Sequence, residues 1–145
     1  EYRDGFILDI FNALNCYGGA KPESDLEKAK RKNEKARARC IGLTIETRPD
    51  FSKREHILEM VRYGATKVEL GVQSVYDDVL IRMRRGHSVA DTIEATKLLK
   101  DSAFKVGYHV MPGLPGSSFG RDVEMFKELF SNDAFKPDYL KIYPT

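Results

Sequence analysis

Four short clusters, Glu46-Thr-Arg-Pro49, Gln73-Ser74, Pro112-Gly-Leu-Pro115 and Tyr143-Pro144, together with Arg85 and His109 outside them, hold the side chains that could do chemistry. Glu46 can accept hydrogen bonds from a ligand ammonium or hydroxyl, and Gln73 can both donate and accept. Arg85 can pair with a ligand carboxylate through its planar fork, and His109 can meet a ligand from within a strand. Each residue also has a plainer role: Glu46 as a solvated strand-end carboxylate, Gln73 as a loop pin, Arg85 as a surface cation, His109 as a satisfied structural histidine. What favours the functional reading is their common address. All four clusters fall where a stretch of alternating residues stops, and in β/α barrels the C-terminal ends of the strands carry the active site.

Those stretches define the elements that must position the clusters. Ile41, Leu43 and Ile45 alternate with Gly42, Thr44 and Glu46, and Val68, Leu70 and Val72 alternate with Glu69, Gly71 and Gln73. Val106, Tyr108 and Val110 oppose Gly107, His109 and Met111, and Leu140 and Ile142 oppose Lys141 and Tyr143. A period of two gives each strand two faces. One face is aliphatic; the other carries Thr44, Glu46, Glu69, Gln73, His109, Lys141 and Tyr143. Helical patterns separate the strands, which is the βαβ signature of a parallel sheet with its aliphatic face under helices. An ordinary β/α barrel fills its interior with branched apolar side chains, so a polar inner face predicts a lined cavity for a polar ligand inside an incomplete barrel.

The helices follow from apolar stripes and caps. Phe6, Ile7, Ile10, Phe11 and Leu14 predict one helix that covers the sheet. Ser24 with Glu27 predicts a capping box opening a second, supported only by Leu26, Ala29 and Ala36. Ser52 with Glu55 predicts another box, before a helix with the stripe Ile57, Leu58 and Val61 that Gly64 should end. Val75 to Met83 reads as a short helix or irregular link. Ser88 with Asp91 opens a helix carrying Val89, Ile93, Ala95, Leu98 and Leu99, and Val123, Phe126, Leu129 and Phe130 mark the last.

The chain has 145 residues, 41% hydrophobic and 32% charged, with a formal charge of +2. That is one domain's worth of globular protein, and its overall charge does not point to nucleic acid. Locally, Lys28, Arg31, Lys32, Lys35, Arg37 and Arg39 lie in a basic run that reads either as a solvated helix face or as a phosphate-binding patch. Arg82, Arg84 and Arg85 form a second cluster. No apolar run approaches the roughly 20 residues of a membrane span, so no membrane partner is expected and a cytoplasmic origin is the default. The first residue is Glu1 rather than Met, and Tyr143-Pro144-Thr145 stops where a strand hands over to a loop. Both ends read as cut, and a fragment is expected. Cys16 and Cys40 lack further Cys or His at ligand spacing and read as free thiols. No Gly-Lys-Ser/Thr ending makes a phosphate loop, and no Ser or Cys is placed with a His and a carboxylate for nucleophilic hydrolysis.

At these residues the chain resembles the radical S-adenosylmethionine domain of the Elongator catalytic subunit, the tRNA wobble-uridine acetyltransferase family. The matching stretches are Glu1 to Asp4, Cys40 to Asp50, Glu69 to Tyr76, Arg85 to His87, His109 to Pro115 and Leu140 to Thr145, nearly the whole chain. The resemblance implies an α/β fold, a partial (β/α)6 barrel represented by its central to C-terminal units. It implies S-adenosylmethionine and a 4Fe-4S cluster as cofactors, acetyl-CoA as a substrate bound mainly by a separate acetyltransferase domain, and a 5-carboxymethyl-type wobble uridine as product. By the same implication Glu46, Gln73, Arg85 and His109 lie around S-adenosylmethionine. The partners it implies are tRNA, small-molecule cofactors, and a second copy or Elongator-type subunits.

The departures are as informative. The three-cysteine cluster motif, the glycine-rich segment after the second barrel strand and the acetyltransferase domain are absent from residues 1–145, and Cys16 and Cys40 cannot replace a coordinated set of thiolates. Ser52 stands where the family often has Cys. This piece alone should therefore be inactive, while its parent should be an acyltransferase that forms carboxymethyluridine. Two alternatives stand beside that reading: a tRNA-binding platform without its own catalysis, and another radical enzyme such as a methylthiotransferase or a coproporphyrinogen-type oxidase.

Overall fold

The computed structural model describes residues 2–145; Glu1, which opens the first stretch of the resemblance, lies outside them. In chain order the elements are α1 (Tyr2–Tyr17), α2 (Leu26–Asn33), β1 (Thr44–Thr47), a 3-10 turn (Pro49–Phe51), α3 (Arg54–Tyr63), β2 (Lys67–Gln73), α4 (Asp77–Arg82), α5 (Val89–Asp101), β3 (Lys105–Val110), α6 (Phe119–Ser131) and β4 (Tyr139–Ile142). The four strands pair in parallel, in the order β1-β2-β3-β4. Parallel neighbours require a crossover, and crossovers of one hand stack every helix on the same face. The expected α/β class and partial barrel result.

The outer face of the sheet holds the main core. Val68, Leu70, Val72, Val106, Tyr108 and Val110 are fully buried against Ile57 and Met60 of α3, Ala95 and Leu99 of α5, and Met125 and Leu129 of α6. Burial of such side chains is worth roughly 1.5–3 kcal/mol each. The Tyr108 hydroxyl bonds to Thr96, so its one polar atom is satisfied there. A second cluster, Ile7, Phe11, Leu26, Ala29 and Tyr63, packs α1 and α2 beside Leu43 and Ile45.

Several local expectations shift. Ile41 is 92% exposed and precedes β1, which begins only at Thr44. The second helix is capped by Asp25, whose side chain accepts from Lys28 N, and not by Ser24. Lys53, not Ser52, precedes α3; Ser52 is buried, with its hydroxyl directed at Arg48 O. On α3 the buried stripe is Ile57, Met60 and Tyr63, leaving Leu58 and Val61 exposed. On α6, Met125 takes the inward position that Val123 and Phe130 were expected to share. The Ser88–Asp91 capping box forms as expected, and Gly64 ends α3 at φ 81°, a left-handed conformation that glycine adopts without steric cost.

Candidate functional site

Register brings the polar residues of the inner face into rows. Glu46 lies beside Glu69, Glu69 beside Gly107, and Gly107 beside Tyr139; one step along, His109 lies beside Lys141. The missing side chain at 107 matters. A Cβ there would stand 2.4 Å from the Tyr139 ring, so glycine leaves the space through which that ring crosses β3.

The result is one connected network around Glu69. Tyr139 Oη donates to Glu69 Oε1 at 2.8 Å, His109 Nε2 donates to Oε2 at 2.7 Å, and Lys141 Nζ lies 2.5 Å from Oε2. Lys141 also reaches Glu46 Oε1 at 3.2 Å. Burial alone would raise the Glu69 pKa, yet hydrogen bonds from Lys141, His109 and Tyr139 outweigh it and hold the carboxyl at about 2. Tyr139 is pushed up to about 12, by burial and then by its bond to Glu69. Bonds to Glu69 and then Glu46 keep Lys141 charged well above the ordinary lysine range. The His109 ring also meets Tyr143 edge-on at 5.5 Å.

Beyond this row the face turns from charged to vacant. A Cβ at Gly71 would stand 3.2 Å from Gln73 Nε2 and 3.3 Å from Arg85 Nη2, so both side chains converge over a bare stretch of backbone. The pairing register shifts between Leu70 and Gln73, and Gln73 takes φ 67°. Gln73 is 8% exposed and its Oε1 has no partner; Arg85 Nε is likewise buried and unpaired. Unsatisfied buried polar atoms are rare in folded proteins and mark places where another group is expected.

The surrounding loops are tied to one another. Met111 N donates to Gln73 O at 2.9 Å, Gly113 N to Asp122 Oδ2 at 2.8 Å, and Thr145 N to Pro112 O at 3.0 Å. Arg48 is clamped by Asp50 at 3.0 and 2.6 Å, and lies over the Phe51 ring. His87 is buried with Nε2 at 3.3 Å from Val72 O, fixing the loop that carries Arg85. Burial lowers its pKa.

Glu46, Glu69 and His109 bring their ligating atoms within 4.8 Å of one another, the geometry of a metal cage. Lys141 already places its ammonium between the two carboxylates, where a metal ion would have to sit. A cavity of about 290 Å³ between α1 and β1, lined by Phe6, Ile7, Ile45 and Met60 among others, touches Glu46 but none of Gln73, Arg85 or His109.

The structure thus gathers Glu46 and His109 into one network and Gln73 and Arg85 over one glycine, on the same face of the sheet. The basic residues are placed elsewhere. Lys28 and Arg31 are exposed on α2, and Lys35, Arg37 and Arg39 are exposed in the irregular segment after it. Lys32 is already engaged, with Glu23 Oε1 at 2.5 Å and Lys21 O at 2.7 Å. Tyr139 went unremarked in the sequence although it lies two residues before Lys141, where strand alternation puts it on the inner face. Glu69 was visible as an inward residue, but nothing in its type showed that it is the hub.

A family model described as "Radical SAM superfamily" matches residues 15–129. A tRNA uridine(34) acetyltransferase of Methanocaldococcus infernus is 53% identical over 99% of this chain, which spans 26% of that protein. Elongator complex protein 3 of Homo sapiens is 46% identical over 100% of this chain, again 26% of the relative. The solved structure of the archaeal Methanocaldococcus infernus Elp3 with an N-terminal deletion superimposes with a TM-score of 0.95 at 52% identity, over 99% of this chain and 33% of that one. The chain therefore spans about a quarter of the length of these curated relatives.

Proposed function

This chain belongs to the radical SAM superfamily, and from that premise we propose that it forms the central and C-terminal units of the S-adenosylmethionine-binding barrel of a tRNA wobble-uridine acetyltransferase. In that reading the intact protein uses acetyl-CoA to build a 5-carboxymethyl-type uridine. The observation that carries it is the convergence of Gln73 and Arg85 over Gly71, each with a buried polar atom unpaired, beside the charged network.

These residues fit S-adenosylmethionine. The bare backbone at Gly71 admits close approach, Gln73 Oε1 can accept from a ligand N–H or O–H, Arg85 can face a carboxylate, and Glu46 offers an exposed acceptor. When bound, that cofactor supplies the radical chemistry; the residues of this chain hold and orient it, and the Glu69 network keeps the floor beneath it rigid. The residues do not fit a 4Fe-4S cluster, which needs a set of thiolates. Cys16 is exposed at the end of α1 and Cys40 is half-buried before β1, and both are free. No step through the cluster is derived from this chain.

The test is to purify the full-length protein anaerobically with Glu46→Ala or Gln73→Ala. Binding and cleavage of S-adenosylmethionine should fall at least tenfold, the loss of one or two good hydrogen bonds. Wild-type behaviour in both variants would remove these residues from the site.

A second role, contact with tRNA phosphates, is favoured by the exposure of Lys28, Arg31, Lys35, Arg37 and Arg39 along one stretch. Reversing Lys28, Arg31 and Lys35 to Glu should weaken tRNA binding and flatten its salt dependence. Reversing Lys32 as well should cost fold stability in addition, since its bonds are internal.

A further inference from the structure

Two carboxylates share one lysine on the inner face, but they do not share it equally. Glu69 is 5% exposed and holds Lys141 Nζ at 2.5 Å, with Tyr139 and His109 donating to it as well. Glu46 is 60% exposed, lies 3.2 Å from the same nitrogen, and otherwise stands against the Glu69 carboxyl itself. Glu69 therefore has three donors and is shielded, whereas the Lys141 contact of Glu46 is solvent-accessible. Exposed ion pairs of this kind contribute little, while a short bond to a buried carboxylate is costly to break.

We propose that Lys141 is a positioning residue that stands in for the ligand: it occupies Glu46 in the free protein and surrenders it on binding, remaining fixed to Glu69. The inference rests on the reading of this face as a cofactor site. It follows from the charge balance. With Lys141 anchored, two carboxylates share one ammonium, and the acceptor of the pair that can turn toward a newcomer without uncovering a buried charge is Glu46. An incoming ammonium or hydroxyl donor replaces the Lys141 contact bond for bond, so the carboxylate is never left bare.

The exchange makes an unusual prediction of sign. A lysine that only props up the site would weaken binding when removed; a lysine that competes with the ligand strengthens it. In the full-length protein, Lys141→Met should bind S-adenosylmethionine about threefold to fivefold more tightly by calorimetry, the equivalent of one exposed ion pair. The gain should shrink as salt rises. In a Glu46→Gln background the same substitution should change affinity by less than about 1.5-fold, because the exchangeable pair is already gone. Unchanged or weaker binding in Lys141→Met, or an equal gain in both backgrounds, would overturn the exchange while leaving the site intact. Failure of the wild-type protein to bind S-adenosylmethionine at all would instead overturn the reading of the site, and the exchange with it.

Discussion

The two faces of the sheet are built from the same four strands and obey different rules. Outward, Val68, Leu70, Val72, Val106, Tyr108 and Val110 are all fully buried against three helices. Inward, Glu69, His109, Tyr139 and Lys141 are held by named partners at 2.5–2.8 Å, and two glycines, 71 and 107, make the room they need. Apolar burial is non-directional and adds up residue by residue. A charged network is cooperative, and removing one member strands the others. Outer-face residues should accordingly act alone, and inner-face residues should act in company.

That contrast can be broken or sharpened by single substitutions and one pair, each read by chemical denaturation of the full-length protein. Leu70→Ala should cost about 3 kcal/mol through lost burial and a residual cavity, while Leu58→Ala, on an exposed position of α3, should stay within about 0.5 kcal/mol. Equal effects would deny that the outer face is the core.

Glu69→Gln should cost about 2 kcal/mol, since Lys141 loses its main partner and one of three donors is left facing an amide. It should also alter the acid limb. The folded Glu69 pKa lies at about 2, below the 4.5 of a free glutamate. Its contribution is therefore fully present above about pH 4.5 and is lost as pH falls toward 2. Over that window the wild type should lose stability more steeply than the variant, and parallel curves would show that Glu69 gains nothing from its partners.

Gly107→Ala should cost about 1.5 kcal/mol by driving a methyl group into the Tyr139 ring. The same change in a Tyr139→Ala background should be nearly silent, a coupling that an outer-face pair would not show. Among the buried positions the smallest effect is that of Tyr108→Phe, about 1 kcal/mol for the loss of its bond to Thr96. Tyr108 is a core residue of the outer face, so a loss as large as that of Glu69→Gln would erase the distinction.

The same contrast explains what could be read from the sequence. Strand parity suffices to say which side Leu70 and Val106 face, because any aliphatic partner will serve. It fails for Ile41, where the alternating pattern starts before the strand begins and the side chain is left exposed. Parity also put Glu46, Glu69, Gln73 and His109 on one face. What it could not supply was the cross-strand register that makes Glu69 a hub, since that depends on which residue of β4 lies beside which residue of β3. Caps failed for a related reason. Ser24 and Asp25 are both good N-cap residues one position apart, and only the packing of Leu26 and Ala29 against α1 selects between them.

The buried Asn15 and Asn33 were unreadable altogether. Asn33 Nδ2 donates to Asn15 Oδ1 at 2.9 Å and to Ala38 O at 3.0 Å, and its Oδ1 accepts from Cys40 N at 2.7 Å. Two residues usually read as surface or turn thereby fasten α1, α2 and the approach to β1.

The backbone at Gln73 has one last implication. A side-chain-bearing residue at φ 67° occupies a region in which glycine would be at ease. Gln73→Gly should relax the chain and make the unliganded protein harder to unfold, yet it would delete the carboxamide that hangs over Gly71. Libraries at this codon, sorted once for heat resistance and once for cofactor capture, should therefore enrich opposite residues.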